Sequence, residues 1–306
     1  MFFENEEVLM TEEEMLVFVK NNFPDLLINK VRINRNGWDN DILILNEEIV
    51  FRFPKSNDLL SKIEDEGKIL ENLKDKNPFL LIPNYEYLYK NDELRGVKYR
   101  FLEGISLSEL SVSNLQENPF NAQGLGDFLT KLHSIAISKL NHSNLGTTHS
   151  LEYWESLHKK VEIKIFPFLT LKQQKEINEL FYRFLDEFSE LTNKKTIIHG
   201  DLTASNIIYN QEKECINGVI DFTDAQIGDP AFDFAGLYWA FGMDFTKDVL
   251  KYYNSVENKE LLLNRVKNFY GLQPVFHELL YAIENNQEIN WKIALNKFSA
   301  LNQSAK

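Results

Sequence analysis

Residues 196–209 have the sequence TIIHGDLTASNIIY, and residues 218–224 have the sequence GVIDFTD. The first stretch places Asp201 and Asn206 in a polar loop between apolar runs, and the second ends a β-rich run with Asp221. Phosphoryl transfer requires this spacing: one aspartate takes the proton of an attacking hydroxyl group, while an asparagine and a second aspartate hold Mg²⁺ against nucleotide phosphates. A loop that leads into a tight strand pair brings three such groups together.

Composition describes an acidic globular protein. The chain has 306 residues, with 33 Lys and Arg against 46 Asp and Glu, so its formal net charge is −13. This length predicts two domains or one large bilobal unit. Hydrophobic residues make up 43% of the chain, which supplies a core and excludes wholesale disorder. The acidity argues against nucleic acid as a partner and is compatible with a cationic small molecule, although net acidity also serves solubility alone.

Cysteine usage and the N-terminus predict where the protein acts. Cys215 is the only cysteine, which excludes an intrachain disulfide and a cysteine metal cluster. Residues 1–7 lack the basic and apolar regions of a signal peptide, and no apolar run approaches the roughly 20 residues that cross a bilayer. We therefore expect a cytoplasmic, soluble monomer without a membrane partner.

Hydrophobic periodicity predicts a β-rich first third of the chain. Thr11 and Glu14 form a capping box before an amphipathic helix, and a second helix is predicted over residues 59–74. Short β-rich runs occupy residues 31–33, 42–45, 49–53, 85–89 and 97–101.

After Gly104 the periodicity becomes helical. Helices are predicted around residues 125–132, over 171–191 and over most of 246–297. The sequence therefore predicts an α+β fold with two lobes joined by a short hinge near residues 99–104. Residues 1–100 form a small β-rich N-terminal lobe with helices, and residues 101–306 form a larger, mostly helical C-terminal lobe.

The segment around Asp221 carries a family resemblance. Residues 220–234 read IDFTDAQIGDPAFDF. Members of the aminoglycoside phosphotransferase family, relatives of the protein kinases, carry H-G/N-D-x-x-x-x-N and then I-D-F/W-x-D/E-A-x-x-x-D-P-x-x-D. The chain resembles them over nearly its whole length, since FRFPK (residues 51–55) is similar to their third-strand motif and FLTKLHS (128–134) to their central helix. The resemblance is strongest to aminoglycoside 2''-phosphotransferases, with macrolide phosphotransferases next. It implies a bilobal, protein-kinase-like fold whose N-terminal lobe binds nucleotide.

The resemblance implies a role for each residue of the catalytic segment. Asp201 is the catalytic base, and Asn206 and Asp221 are the magnesium ligands. His199 is structural and braces the loop through hydrogen bonds. The alternative is that His-Gly-Asp is an ordinary turn, which the register of Asn206 and Asp221 disfavours.

The expected nucleotide site departs from the kinase pattern. Residues 34–40 form a polar turn with a single glycine, at the position where protein kinases have a glycine-rich loop. The backbone N–H groups of this turn and Asn40 would cover the triphosphate. The alternative is that the turn is an ordinary hairpin turn. Arg52 stands where many relatives have lysine and would fork onto phosphate oxygens. Glu66 is the expected partner of Arg52, and Lys55 is expected to be a solvated surface charge.

The hinge residues Tyr99, Arg100 and Leu102 are expected to contact the purine base. Tyr99 stands at the position of a gatekeeper beside the base, where a bulky side chain resembles the family members that prefer GTP. The alternative, a core aromatic on a strand, is equally compatible with the sequence.

The acceptor side is less determined by the sequence. Asp224 and Asp244 are candidate carboxylates for a cationic acceptor, while Asp229 and Asp233 look structural. Residues 236–244 (GLYWAFGMD) are mostly aromatic and apolar, so Trp239 is a candidate wall for a macrolide ring. The alternative is that this stripe packs against later helices.

Taken together, the residues and the resemblance predict a magnesium-dependent kinase that transfers the γ-phosphoryl group of GTP or ATP to a hydroxyl of an aminoglycoside antibiotic, and so confers resistance. The alternatives are a macrolide, a choline-like amino alcohol or a sugar metabolite as acceptor, and a pseudokinase that binds nucleotide without catalysis. Its partners are then the small-molecule substrate and the nucleotide.

Overall fold

A computed structural model describes residues 10–304, except residues 36, 38, 111–114, 141–144, 192–194 and 255–256. The expectations for residues 1–7, and for Asn36 and Trp38 of the polar turn, lie outside the described residues. No helix in the described part of the chain is both long and apolar enough to cross a membrane.

The N-terminal lobe is built on one antiparallel sheet. Helix α1 (Glu12–Asn22) begins at the predicted capping box: the Thr11 hydroxyl accepts the Glu14 N–H at 3.2 Å, and the Glu14 carboxylate accepts the Thr11 N–H at 2.7 Å. The sheet has the order β1-β2-β3-β5-β4. Its strands are β1 (Val31–Asn34), β2 (Asn40–Leu45), β3 (Ile49–Pro54), β4 (Glu86–Lys90) and β5 (Glu93–Arg100). All five predicted strands are confirmed, with shifted ends.

Helix α2 (Asn57–Lys74) crosses this sheet and reaches the second lobe. Ile69, Leu70 and Leu73 belong to the large apolar core of the C-terminal residues, whereas a smaller cluster under the sheet contains Phe18 and Phe51. The predicted helix over residues 59–74 is confirmed, and one of its faces joins the two lobes.

The second lobe is mostly helical, as predicted. Its helices are α3 (Pro119–His133), α4 (Leu151–Lys164), α5 (Leu171–Leu191), α6 (Ala235–Tyr252), α7 (Lys259–Arg265), α8 (Pro274–Glu284) and α9 (Trp291–Ser304). Short strands β6 (Ile105–Ser106), β7 (Thr196–Ile198), β8 (Ile207–Asn210), β9 (Cys215–Val219) and β10 (Gln226–Gly228) pair as β6-β8-β9 and β10-β7. These two small sheets frame the loop that follows β7.

Helix α4 was not among the predicted elements. Ser150 caps it by accepting the Tyr153 N–H. Trp154, Leu157 and Val161 are buried at helical spacing, and this periodicity is the signal that identifies the helix in the sequence.

The lobes meet at a short connection, with β5 ending at Arg100 and β6 beginning at Ile105. A second link is the backbone of Leu81, which donates to Asn217 O and accepts from Val219 N, both at 2.9 Å. These links set the N-terminal sheet against the β8–β9 hairpin. The division at residue 100 stays a prediction.

Candidate active site

The loop after β7 is braced by a buried histidine. His199 is fully buried; its Nε2 donates to Ile220 O at 3.1 Å, and its Nδ1 accepts the Asp201 N–H at 3.3 Å. The next residue, Gly200, has φ 80°, and a side chain there would collide with the carbonyl oxygen of Asp224. Glycine is therefore required at this turn. His199 makes the bracing contacts that the sequence predicted.

Asp233 holds the same loop from below. Its carboxylate accepts the N–H groups of His199 at 2.8 Å and Gly200 at 3.0 Å, and His133 Nε2 lies 3.0 Å from Oδ2. His133 Nδ1 in turn lies 2.8 Å from the Tyr253 hydroxyl. Burial by itself raises the pKa of Asp233, but the hydrogen bond and charge of His133 outweigh it and lower that pKa. The predicted structural role of Asp233 is therefore visible in these contacts.

Asp201 is oriented by Asn206. The Asn206 amide Nδ2 donates to Asp201 Oδ2 at 2.7 Å and to Asp201 O at 2.8 Å. Burial, followed by the negative charges of Asp224 and Asp221, raises the pKa of Asp201 to about 7. A carboxyl group with a pKa near 7 is well matched to accept a proton from a hydroxyl group at neutral pH.

Asp221 follows a residue that is bonded to this loop, because the Ile220 N–H donates to Asn206 O at 3.0 Å. Asp221 has φ 65°, a left-handed conformation that non-glycine residues adopt mainly where their surroundings hold them. Its Oδ1 accepts the Thr223 hydroxyl at 2.7 Å, and its side chain is 46% exposed, so it still faces the cleft. Burial raises its pKa, but the nearby charge of Arg52 and the Thr223 hydrogen bond lower it overall, which favours the carboxylate.

This donor set fits magnesium. Mg²⁺ is usually bound by one or two carboxylates together with substrate phosphates and water. The Nδ2 of Asn206 donates to Asp201, which leaves the Asn206 Oδ1 available to a cation. The Asp221 carboxylate is the second expected ligand. Within the described ranges, no three His, Cys, Asp or Glu residues form a complete metal cage. The site thus fits a metal ion that takes its remaining ligands from the nucleotide phosphates and water.

Arg52 forms the predicted pair with Glu66. Its Nη1 donates to Glu66 Oε2 at 2.7 Å and to the Tyr85 hydroxyl, and its Nη2 donates to Glu66 Oε1 at 2.8 Å and Thr223 Oγ1 at 2.7 Å. The side chain is 4% exposed. Both terminal nitrogens contact protein groups, whereas Nε has no hydrogen-bond partner in the described part of the chain. The contact of Arg52 with phosphate oxygens stays a prediction. Tyr85 and Thr223 were missed, since neither lies near Arg52 in sequence.

The polar turn before β2 is held by Lys55. Its Nζ donates to Arg35 O at 2.8 Å and Gly37 O at 2.5 Å, and it lies 3.6 Å from an Asp41 carboxylate oxygen. Lys55 is therefore a brace of the turn, and the expectation of a solvated surface charge was wrong. Asn40 is buried at the start of β2, and its Oδ1 has no hydrogen-bond partner in the described part of the chain. Its contact with a triphosphate stays a prediction.

The hinge residues face different surroundings. Tyr99 is partly buried, with its ring 5.6 Å from that of Tyr85, and burial raises its pKa to about 12. Leu102 is buried and packs on Gly218, whereas Arg100 is exposed. The Tyr85–Tyr99 contact agrees with the core-aromatic alternative, and the contacts of all three residues with a purine stay predictions.

The two candidate carboxylates for the acceptor lie on different parts of the C-terminal lobe. Asp224 and Asp244 have solvent-accessible side chains. Partial desolvation of the Asp224 carboxylate by the surrounding protein, together with the negative charges of Asp39 and Asp221, raises its pKa. Asp224 lies beside the loop that follows β7, which we call the catalytic loop, because its carbonyl oxygen packs on Gly200. Asp244 follows a kink in α6 at Gly242. The contacts of both aspartates with an acceptor stay predictions.

Trp239 belongs to the interior of the helical lobe. It is 7% exposed; its Nε1 donates to Glu278 Oε1 at 2.7 Å, and Lys297 Nζ lies 4.1 Å from its ring centre. The expectation of a substrate-facing wall at Trp239 is therefore corrected. The alternative, packing against later helices, describes this residue.

Comparisons with known proteins agree with this geometry. The sequence model described as "Phosphotransferase enzyme family" matches residues 30–260. The uncharacterized protein YcbJ of Bacillus subtilis is 22% identical over 237 residues, which cover 73% of this chain and 74% of that protein.

Solved structures match the fold over nearly the whole chain. The GDP complex of aminoglycoside 2'-phosphotransferase-IIIa aligns with a TM-score of 0.78 at 22% identity, covering 97% of this chain and 100% of that one. A GDP and kanamycin complex of an APH(2") enzyme aligns with a TM-score of 0.75 at 23% identity, covering 95% and 97%. Macrolide 2'-phosphotransferase type I aligns with a TM-score of 0.66 at 20% identity, covering 97% of this chain and 98% of that one. The kinase-like α+β fold predicted from the sequence is confirmed.

Proposed function

Because this chain belongs to the phosphotransferase enzyme family, we propose that it transfers the γ-phosphoryl group of GTP or ATP to a hydroxyl group of a small molecule. The observation that carries the proposal is the geometry of the Asp201 carboxylate, which Asn206 Nδ2 holds at 2.7 Å on a loop that His199 and Asp233 brace. The single cysteine, Cys215, and the need for a nucleoside triphosphate support action in the cytoplasm.

The chemistry assigned to this chain is proton transfer and positioning. Asp201 accepts a hydrogen bond from the acceptor hydroxyl and takes its proton as the oxygen bonds to the γ-phosphorus. The bond between that phosphorus and the bridging oxygen breaks, and the nucleoside diphosphate leaves with the bond electrons. Asn206 keeps Asp201 in position during this step. Asn206 and Asp221 would hold Mg²⁺, which when bound neutralises charge on the phosphates.

The first candidate acceptor is an aminoglycoside antibiotic, with resistance by phosphorylation as the consequence. A structural neighbour is a complex with GDP and kanamycin, and others are named as ADP-bound or as ATP complexes. Asp224 supports this candidate, since its exposed carboxylate lies next to the catalytic loop.

The second candidate is a macrolide or another hydroxyl compound with little positive charge. The observation that favours it is an aromatic lining between α4 and α8, where Tyr153 and His277 stack with ring centres 6.4 Å apart. A macrolide phosphotransferase is also among the structural neighbours.

Replacing the proposed base tests the mechanism. Nucleoside diphosphate release is measured with GTP and with ATP against kanamycin, gentamicin and erythromycin. For any acceptor that turns over, Asp201→Asn is expected to lower kcat by about a thousandfold or more, because the proton acceptor is lost while nucleotide binding is kept. Asp186→Asn, an exposed aspartate on α5, is the matched control and is expected to leave kcat unchanged. Full turnover by Asp201→Asn would refute the assignment.

A further inference from the structure

A buried group of three charged residues joins α7 to the segment that follows β10. Arg265, the last residue of α7, donates from Nε to Asp229 Oδ2 at 2.7 Å and from Nη2 to Asp229 Oδ1 at 2.8 Å. It also donates to Glu257, from Nη1 to Oε2 at 3.0 Å and from Nη2 to Oε1 at 2.5 Å. The three side chains are at most 9% exposed. Four hydrogen bonds to two carboxylates therefore hold the Arg265 guanidinium group in one orientation.

Asp229 begins the short helix Pro230–Phe234. Its Oδ1 accepts the Ala231 N–H at 2.9 Å, and its carbonyl oxygen accepts the Phe232 N–H at 2.9 Å. Burial raises the pKa of Asp229, and the hydrogen bonds and charge of Arg265 oppose that rise, which favours the carboxylate that caps the helix. Because Arg265 bonds both oxygens of this carboxylate, it fixes the point at which the short helix starts.

The same helix carries Asp233, which holds the catalytic loop. The Asp233 Oδ1 accepts the Gly200 N–H at 3.0 Å, and Gly200 directly precedes Asp201. Only three residues separate Asp229 from Asp233, so a displacement of the helix start also displaces the carboxylate that holds the loop. A continuous series of contacts thus leads from Arg265 to the neighbour of the proposed base.

We propose that Arg265 is a positioning residue for phosphoryl transfer: by fixing Asp229 it sets the short helix Pro230–Phe234, and through Asp233 it sets the place of the Asp201 carboxylate. The Arg265 side chain is buried against protein carboxylates, so it acts through these contacts. This inference rests on the proposed phosphotransferase function and adds a residue to its machinery. A displaced base slows the reaction of a bound substrate, so the loss of Arg265 lowers kcat more than it weakens nucleotide binding.

A double-mutant cycle tests the path from Arg265 through Asp229. Arg265→Gln and Asp229→Asn remove opposite halves of one contact, and each is expected to lower kcat at least tenfold while the KM for nucleotide changes less than twofold. Because both act through the same contact, the double variant is expected to be no slower than the slower single variant. Each rate is divided by the number of nucleotide sites that calorimetry measures, so that unfolded chains are not counted.

Two further variants separate positioning from stability. Arg265→Lys keeps the buried charge but cannot fork onto Asp229, so it tests the role if Arg265→Gln does not fold, and it is expected to lower kcat at least threefold. Ile177→Ala is the matched control, because it removes a buried apolar side chain on α5, outside the contacts from Arg265 to Asp201. It is expected to lower the unfolding midpoint and to leave kcat per nucleotide site unchanged.

Amide hydrogen exchange supplies a readout that needs no turnover. In peptides that contain His199 and Gly200, measured by mass spectrometry, exchange is expected to be at least tenfold faster in Arg265→Gln, or in Arg265→Lys if only that variant folds, than in Ile177→Ala. The physical reason is that a displaced Asp233 no longer accepts these two N–H groups.

Three results would overturn the inference. One is a wild-type kcat per nucleotide site in the folded Arg265 variant, and another is a double variant in which the two single losses multiply. The third is equal exchange of the His199 and Gly200 amides in the Arg265 variant and in Ile177→Ala. A failure of the proposed phosphotransferase function has a different signature, because the wild-type chain would then release no nucleoside diphosphate with any acceptor while the difference in exchange persisted.

Discussion

At the scale of single residues, Arg52 connects the two lobes through one buried guanidinium group. It meets Glu66 and Tyr85 in the N-terminal lobe and Thr223 in the C-terminal lobe, and Thr223 passes a hydrogen bond on to Asp221. The position of the expected metal ligand thus depends on a side chain of the opposite lobe.

Removing the Thr223 hydroxyl is expected to impair the site. Thr223→Val leaves one buried Arg52 donor unpaired and releases the Asp221 carboxylate, so we expect the apparent affinity for the magnesium–nucleotide complex to fall by about tenfold. Thr223→Ser keeps the hydroxyl and is expected to restore most of that affinity. Fluorescent nucleotide titrations at varied Mg²⁺ measure both variants, and equal affinities for the two would contradict this role.

Arg52→Lys tests whether charge alone suffices at this position. One ammonium group cannot reproduce the fork to Glu66 and also reach Tyr85 and Thr223, so buried partners lose hydrogen bonds. We expect the free energy of unfolding to fall by about 1–3 kcal/mol in urea denaturation. An unchanged unfolding midpoint would show that the fork contributes little to stability.

The Arg52 contacts also show which residue contacts can be predicted from the sequence. Glu66 could be predicted because family spacing on one helix pointed to it. Tyr85 and Thr223 lie 33 and 171 residues from Arg52, and nothing in their local sequence marks the contact. The same limit explains Trp239, whose partners Glu278 and Lys297 belong to later helices.

At the scale of elements, α4 packs against the short helix Pro230–Phe234 through an aromatic cluster around His149. The His149 ring lies 4.0 Å from that of Phe232 and 5.3 Å from that of Trp154. Burial lowers the pKa of His149 to about 4. The buried residues of α4 have helical periodicity, although α4 was not among the predicted elements. Its packing partners depend on contacts that only the fold creates.

This cluster predicts a pH dependence of stability. Because His149 has a folded-state pKa near 4 and an ordinary unfolded value of 6.5, the unfolded chain binds more protons between these values. The His149 contribution to stability is therefore present above pH 6.5 and is lost as pH falls toward 4. His149→Phe keeps an aromatic ring without a titrating group and is expected to reduce the loss of unfolding free energy between pH 7 and pH 5. Identical pH slopes for this variant and the wild-type chain would contradict the assignment.

At the scale of the whole molecule, the architecture could be predicted from the sequence more completely than the identity of the acceptor. Period-two runs and helical periodicity placed the five-stranded sheet and most helices, because local burial patterns produce them. The catalytic segment was recognisable because its spacing is set by a short loop. The lining between α4 and α8 was not, because it joins residues more than 100 positions apart, as in the pair of Tyr153 and His277.

The most direct test of the central claim follows the γ-phosphoryl group itself. The chain is incubated with γ-labelled GTP or ATP, Mg²⁺ and each acceptor, and the products are separated and identified by mass. The account predicts that label appears on a hydroxyl of one acceptor in equal amount with nucleoside diphosphate, and that Asp201→Asn abolishes this product. Tight nucleotide binding with all label remaining in the nucleotide, or an equally labelled acceptor from Asp201→Asn, would contradict it.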